Sequence, residues 1–262
     1  MVDKKLALEM VTAAFRTVEQ DLDFKTEKES RWREYKKLVA RFPDWESGDF
    51  FKELVLVMFY SGMRADTVSS KSGIILKYLG DYKEVASFAE KDVLRICSIK
   101  DMIKNEIKVR GCIHNAKVFM KLDKEFGSFG NYLLSFNKGY PTDPARIPEL
   151  LEDLQSRFKF LGPRTSRHFL MVFGFPMVKP DRMVMRVLFR LGLIPGETGD
   201  HIEEAVKVSL EAAAAVDIPA KFMDFILVGI GQSEGAELCK KEKPICGRCG
   251  LRPYCKYPTY RM

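Results

Sequence analysis

The segment Cys239-Lys240-Lys241-Glu242-Lys243-Pro244-Ile245-Cys246-Gly247-Arg248-Cys249-Gly250-Leu251-Arg252-Pro253-Tyr254-Cys255 sets four thiols at the spacing C-x6-C-x2-C-x5-C. Thiolates are soft ligands that select zinc or iron–sulfur clusters. A structural zinc site usually presents two C-x2-C knuckles separated by a longer loop. Here one x2 pair is flanked by a six-residue and a five-residue loop. A cubane cluster is wider than a single zinc ion, and unequal loops can wrap it, so spacing alone leaves both metals open. The same region is basic. From Cys239 to Met262 seven Lys and Arg residues stand against one acid, Glu242, a local charge of +6 in a chain whose total is +7. Such a patch suits a phosphate backbone or an anionic membrane surface, with a solubilising tail as the simpler alternative.

Outward from the cysteines, the chain has 262 residues and a hydrophobic fraction of 46%, enough to bury a core without disulfide staples. The start, Met1-Val2-Asp3-Lys4-Lys5, does not read as a secretory signal. No apolar run approaches the roughly 18 residues that span a bilayer. A cytoplasmic, reduced setting without membrane contact is therefore expected, in which cysteines serve metals rather than disulfides.

Helical spacing dominates the sequence and period-two alternation is nearly absent, which predicts an all-α fold. Helices are expected near Leu6–Ala14, Phe50–Tyr60, Ala65–Tyr78, Val85–Ile96, Ile113–Phe126, Ile147–Phe160, Met183–Leu191 and Ile202–Ala215. The breaks are short, at Ser61-Gly62, Ser128-Phe129-Gly130, Lys138-Gly139-Tyr140-Pro141 and Pro195-Gly196. Cys97 and Cys112 fall within helical patterns and read as core thiols. His114, His168 and His201 lack metal-ligand spacing.

Two further helix starts carry chemistry. Phe160-Leu161-Gly162-Pro163-Arg164-Thr165-Ser166 sets a glycine before a proline at a first helical position, where exposed backbone N–H groups can hold a phosphate. Arg167 lies on the helix that follows, placed for phosphate or solvent. Asp181 precedes the apolar run Met183–Leu191 and reads as an N-cap. A carboxylate there is kept ionised by the helix dipole, so it can also stabilise a developing cation or orient a water.

Together these motifs resemble the helix-hairpin-helix DNA glycosylase superfamily, in particular its endonuclease III and MutY adenine glycosylase members. The cysteine spacing is theirs, and Cys239 to Cys246 is similar to their C-x-x-x-K-P-x-C. Pro180-Asp181-Arg182-Met183-Val184-Met185-Arg186-Val187 resembles V-D-x-x-x-x-R-V, and Gly111-Cys112-Ile113-His114-Asn115-Ala116-Lys117 resembles G-L-x-N-x-K-A. The piece from Asp101 through Lys108 to Ala116 also resembles 3-methyladenine DNA glycosylase I. The likeness covers about Phe50 to Lys256; the first 45 residues match no motif.

The resemblance implies a two-lobed fold. Residues 50–176 would form a central lobe ending in the hairpin, and residues 1–49 with 177–262 a second lobe carrying the cysteines. DNA would lie in the groove between the lobes. The resemblance implies a [4Fe–4S] cluster on Cys239, Cys246, Cys249 and Cys255, with zinc as the alternative. It assigns DNA contact to Gly162, Pro163, Arg164, Thr165 and Met63, and catalysis to Asp181. Met63 stands where the family has a base-replacing glutamine. The implied partner is double-stranded DNA holding a lesion or mismatch, bound by a monomer.

The sequence departs from the family twice. Phe160 replaces the first glycine of the hairpin's G-x-G, which implies a looser turn. Pro163 or Arg164 stands where bifunctional members carry a nucleophilic lysine, and neither can form a Schiff base; Lys159 and Lys179 are out of frame. The expected activity is therefore a monofunctional glycosylase using water, with alkylated purines favoured. A bifunctional glycosylase/lyase and a non-catalytic damage-binding protein are the alternatives.

Overall fold

The computed structural model describes residues 3–19, 22–136, 146–231 and 238–257. The expected break at Lys138–Pro141 and the tail residue Arg261 lie outside them. The helices, in chain order, are α1 (Lys4–Val18), α2 (Phe24–Ala40), α3 (Ser47–Tyr60), α4 (Ala65–Ser69), α5 (Ser72–Leu79), α6 (Tyr82–Val85), α7 (Glu90–Ser98), α8 (Glu106–Phe126), α9 (Phe129–Phe136), α10 (Ile147–Arg157), α11 (Pro163–Val172), α12 (Arg182–Leu191), α13 (Ile202–Ala215) and α14 (Ala220–Gly231). Among the described residues there is no strand, so the fold is all-α. Also among them, no helix is long and apolar enough to cross a membrane.

Several helix limits differ from the periodicity for local reasons. The run Ala65–Tyr78 is broken at Ser70-Lys71 into α4 and α5. Helix α8 starts seven residues earlier than Ile113, because the Asn105 side chain accepts from Lys108 N at 3.0 Å and caps it there. Helix α10 stops at Arg157, short of the hairpin.

The chain divides into two compact units, Ala40–Phe175 and Met1–Val39 with Pro176–Met262. The first has an aromatic core. Phe119 stacks on Phe129 at 4.2 Å and 12°, and Phe50 meets Phe173 at 4.4 Å. Phe42 and Trp45 belong to this core although they precede Phe50: Phe42 lies 5.6 Å from Phe50, and Trp45 lies 4.8 Å from Phe173. Such ring pairs add about 0.5–1.5 kcal/mol each beyond the area they bury. The hydroxyl ends stay satisfied, with Tyr82 donating to Asp123, and Tyr132 to Asp153 at 2.7 Å.

The second unit packs α1, α12, α13 and α14 around a mostly aliphatic core that includes Val11, Leu188, Met223, Ile226 and Ile230, with Phe15 and Phe222 as aromatic members. Helix α1 is capped by Asp3, which accepts from Leu6 N at 2.9 Å. Helix α2 buries no residue and is tied down by Trp32, whose Nε1 donates to Asp217 O at 2.8 Å. The cysteine segment docks on α1 at Gly250, whose N–H donates to Thr17 Oγ1 at 3.0 Å. A Cβ there would meet that oxygen at 2.7 Å, so only glycine permits the approach.

Candidate active site and cysteine segment

The hairpin lies between α10 and α11. Phe160 takes φ +66°, a left-handed conformation that glycine adopts freely and that costs an L-residue about 1–2 kcal/mol. Packing and hydrogen bonds hold it there. Its ring fills the space beside Gly111, where an added Cβ would stand 2.6 Å from it. Thr165 Oγ1 donates to Phe160 O at 2.5 Å. Asn115 clasps the preceding residue from both sides, donating from Nδ2 to Lys159 O at 3.0 Å and accepting at Oδ1 from Lys159 N at 2.8 Å. The turn is therefore closed rather than loose, and the expectation from the missing glycine is corrected.

The start of α11 has Gly162 as N-cap, with no side-chain capping bond. Gly162 and Pro163 are exposed, while Arg164 and Thr165 are half-buried in the first turn. Arg167, read from the sequence as reaching phosphate or solvent, is instead buried and donates from Nη1 to Pro163 O at 2.7 Å.

Lys108 connects this hairpin to the Met63 loop. Its buried ammonium donates to Met58 O at 2.6 Å, Phe59 O at 3.0 Å and Ser61 O at 2.6 Å, closing the end of α3. It also lies 5.7 Å from the centre of the Phe160 ring. Burial pushes its pKa down to about 8, with the neighbouring Cys112 opposing the fall. Beyond Ser61 the chain turns through Gly62, at φ +74°, to the half-buried Met63.

Asp181 sits in the other unit. Asp181 N donates to Lys179 O at 2.7 Å, closing a three-residue turn about Pro180. The Asp181 carboxylate then caps α12, accepting at Oδ1 from Met183 N at 2.8 Å and Val184 N at 3.0 Å. Both bonds fall on one oxygen, and Oδ2 accepts none from the described residues. The turn is pinned from behind by Asp224 of α14, whose Oδ1 accepts from Lys179 N at 2.6 Å. Asp224 is 7% exposed, and burial pushes its pKa up to about 7, against the Lys179 N–H bond, while the neighbouring Asp181 charge adds to the rise.

Helix α12 also reaches the cysteines. Arg186 and Arg190 lie one helical turn apart and both are buried. Arg186 Nη1 donates to Cys239 O at 3.1 Å. Arg190 Nη1 donates to Lys240 O at 2.7 Å and contacts Cys239 Sγ at 3.3 Å, and its Nη2 donates to Lys241 O at 3.0 Å. Arg190 O in turn accepts from Lys256 N at 2.8 Å. Burial pushes the Cys239, Cys249 and Cys255 thiols up, and the Arg190 charge opposes this at Cys239 and Cys255. Cys249 is raised further by the charges of Cys239, Cys255 and Cys246, so the four sulfurs are electrostatic neighbours. Among the described residues no group of three or more His, Cys, Asp or Glu is arranged to hold a metal ion. Cys112 is a core thiol, pushed up to about 12 by burial, whereas Cys97 is half-buried.

Residues 27–179 match the model of the methyladenine glycosylase family. The chain belongs to that family. The match takes in the hairpin, Lys108 and Asn115 and ends two residues before Asp181, so the catalytic candidate and the cysteines lie beyond it. A curated relative, endonuclease III of Thermotoga maritima, is 29% identical over 113 residues, 43% of this chain. The matched stretch spans 48% of that relative's length. Among solved structures, the 8-oxoguanine DNA glycosylase of Thermotoga maritima covers 85% of this chain and 95% of its own, with a TM-score of 0.54 at 19% identity. This methyladenine glycosylase family member therefore has a DNA glycosylase fold. The 3-methyladenine DNA glycosylase I of Staphylococcus aureus is also similar, at 25% identity, covering 50% of this chain and 78% of its own, with a TM-score of 0.45.

Sequence reasoning missed Asp224, Arg190 and Lys108 in this family member. A signal existed for Asp224, since it is the one acid in the apolar run Ala220–Gly231 and its spacing from Ala220, Met223 and Leu227 places it on the buried face. Arg186 and Arg190 are likewise an i, i+4 pair inside an apolar run.

Proposed function

We propose that this chain is a DNA N-glycosylase of base-excision repair, monofunctional, with water as nucleophile and Asp181 as the catalytic carboxylate. One observation carries the reading: the Asp181 carboxylate is anchored to the N-terminus of α12 through Oδ1, while Oδ2 accepts no hydrogen bond from the described residues. A lesion base extruded from the duplex enters the site, at an unstacking cost that is least for damaged or mismatched pairs. As the bond from C1′ to the base nitrogen breaks, its electron pair leaves with the base and positive charge develops on the sugar. Asp181 stabilises that charge. Water adds at C1′, its proton passing first to a carboxylate and then to the departed base or solvent, which leaves an abasic site. The family match favours an alkylated purine as the base. The absence of lysine at Pro163 and Arg164 supports hydrolysis over lyase chemistry.

The same reading gives the four cysteines a [4Fe–4S] cluster, a group that would brace the loop and supply no step of the hydrolysis. Three features support the fit. The donors are all thiols. They neighbour one another electrostatically, the charges of Cys239, Cys255 and Cys246 all acting on Cys249. The buried cations Arg186 and Arg190 offset thiolate charge at Cys239. The exposed Lys241, Lys243, Arg248, Arg252 and Lys256 around them suit phosphates of double-stranded DNA.

The test is incubation of the purified protein with duplexes each bearing one defined lesion, followed by alkali. Alkali-labile abasic sites without a borohydride-trapped adduct support the reading. A trapped protein–DNA adduct would establish the lyase alternative, and DNA binding with no base released from any lesion would establish a damage-binding protein. Iron and acid-labile sulfide with brown colour support the cluster, and stoichiometric zinc in a colourless preparation overturns it.

A further inference from the structure

Asp224 has no place in the motifs of the sequence, yet the turn that presents Asp181 hangs from it. Its Oδ1 accepts from Lys179 N at 2.6 Å, and Lys179 O accepts from Asp181 N at 2.7 Å, so one residue links the Asp224 carboxylate to the Asp181 backbone by consecutive hydrogen bonds. We propose that Asp224 is a positioning residue for Asp181: it holds the Lys179–Asp181 turn in place, and its ionisation sets how much negative charge the site presents to the sugar cation. This rests on the catalytic reading of Asp181.

The surroundings of Asp224 narrow what else could set its charge. Asp181 and Lys179 act on it from the turn and Lys221 from its own helix. The side chains that α1 and α13 bury are apolar or hydroxyl-bearing. On α12 the buried charges, Arg186 and Arg190, are engaged with the Cys239–Lys241 backbone. Burial makes the Asp224 carboxyl ionise near neutrality, at about 7. Below that pH it is a neutral acid behind Asp181; above it, a second anion stands there. Even with the screening of bulk water, an added charge about 4 Å away favours a cationic transition state by about fivefold.

Two measurements test this. Carbon-13 NMR of aspartate-labelled protein follows both carboxyl resonances with pH. The Asp181 resonance is expected to show an inflection near pH 7 that Asp224→Asn removes; an Asp181 resonance indifferent to that substitution overturns the proposal, whichever base is excised. Asn keeps a carbonyl for Lys179 N, so the fold is expected to survive, and thermal melting checks it. Single-turnover base release from methylated duplex DNA supplies the second readout. Wild-type protein should gain about fivefold as pH rises through 7, and Asp224→Asn should lose that gain with DNA affinity unchanged. Asp181→Asn runs in parallel. If it stays active, the catalytic reading fails; if it is dead while Asp224→Asn keeps the full pH response, the failure belongs to Asp224 alone.

Discussion

Helices α11 and α12 begin in nearly the same way in the sequence, with a turn residue following a short apolar stretch, and end in opposite electrostatic states. Helix α11 starts at Gly162, which offers no side chain to its first turn. Helix α12 starts at Asp181, which fills its first turn with a carboxylate oxygen. An uncapped N-terminus suits a phosphate from outside, whereas a capped one has its anion already in place, here with a second oxygen that accepts no hydrogen bond from the described residues. The supports differ as well. The α11 turn is held by a ring packed on Gly111 and by the Asn115 clasp, the α12 turn by a hydrogen bond from a buried acid.

The sharpest way to break this contrast is Asp181→Asn. Asn is as good an N-cap as Asp, so melting should stay within about 1 kcal/mol. Base release should fall by about 10³-fold, as for loss of a catalytic carboxylate. Retained activity would reduce Asp181 to a cap and make the two helix starts equivalent.

Next in size is the pH dependence of stability. The Asp224 carboxyl stands at about 7 when folded, against about 3.9 unfolded, so the folded state binds its proton more tightly. Its contribution is full below about pH 4 and is lost as pH rises to about 7, on the order of 4 kcal/mol. Denaturant titrations at a series of pH values should show this decline, and Asp224→Asn should flatten it. On the α11 side, Gly111→Ala should destabilise by about 1–3 kcal/mol, because the new methyl displaces the Phe160 ring; an unchanged midpoint would mean that the ring does not hold the turn. The smallest effect is expected for Gly162→Ala. No atom lies within 4 Å of the added Cβ, so melting should not change. DNA affinity should drop about threefold, because the methyl stands where a phosphate would approach the backbone.

The legible parts of the fold are those written in local spacing. The all-α character, the helix starts at Pro163 and after Asp181, and the family likeness around Gly111–Lys117 all rest on residues close together in the chain. The parts that were not legible depend on partners far away. Phe160 reads as a defect until Gly111, forty-nine residues earlier, supplies the space for its ring. Arg167 reads as a surface cation until its guanidinium is found turned back on Pro163 O. Asp224 shows its burial in helical period, but its partner Lys179 lies forty-five residues away. The break in Ala65–Tyr78 escaped because both halves keep an apolar face.

The arginines of α12 have a mechanical consequence. Successive residues of a helix are offset by about 100°, so a small roll of α12 about its axis would swing Asp181 to a new heading. Arg186 and Arg190 act as teeth on a keyed shaft: the carbonyls of Cys239, Lys240 and Lys241 engage them and fix the rotational phase of α12. About two turns away, the carboxylate inherits that phase. Whatever stiffens the cysteine segment therefore also sets the heading of the Asp181 carboxylate, with no atom of the segment needing to touch it.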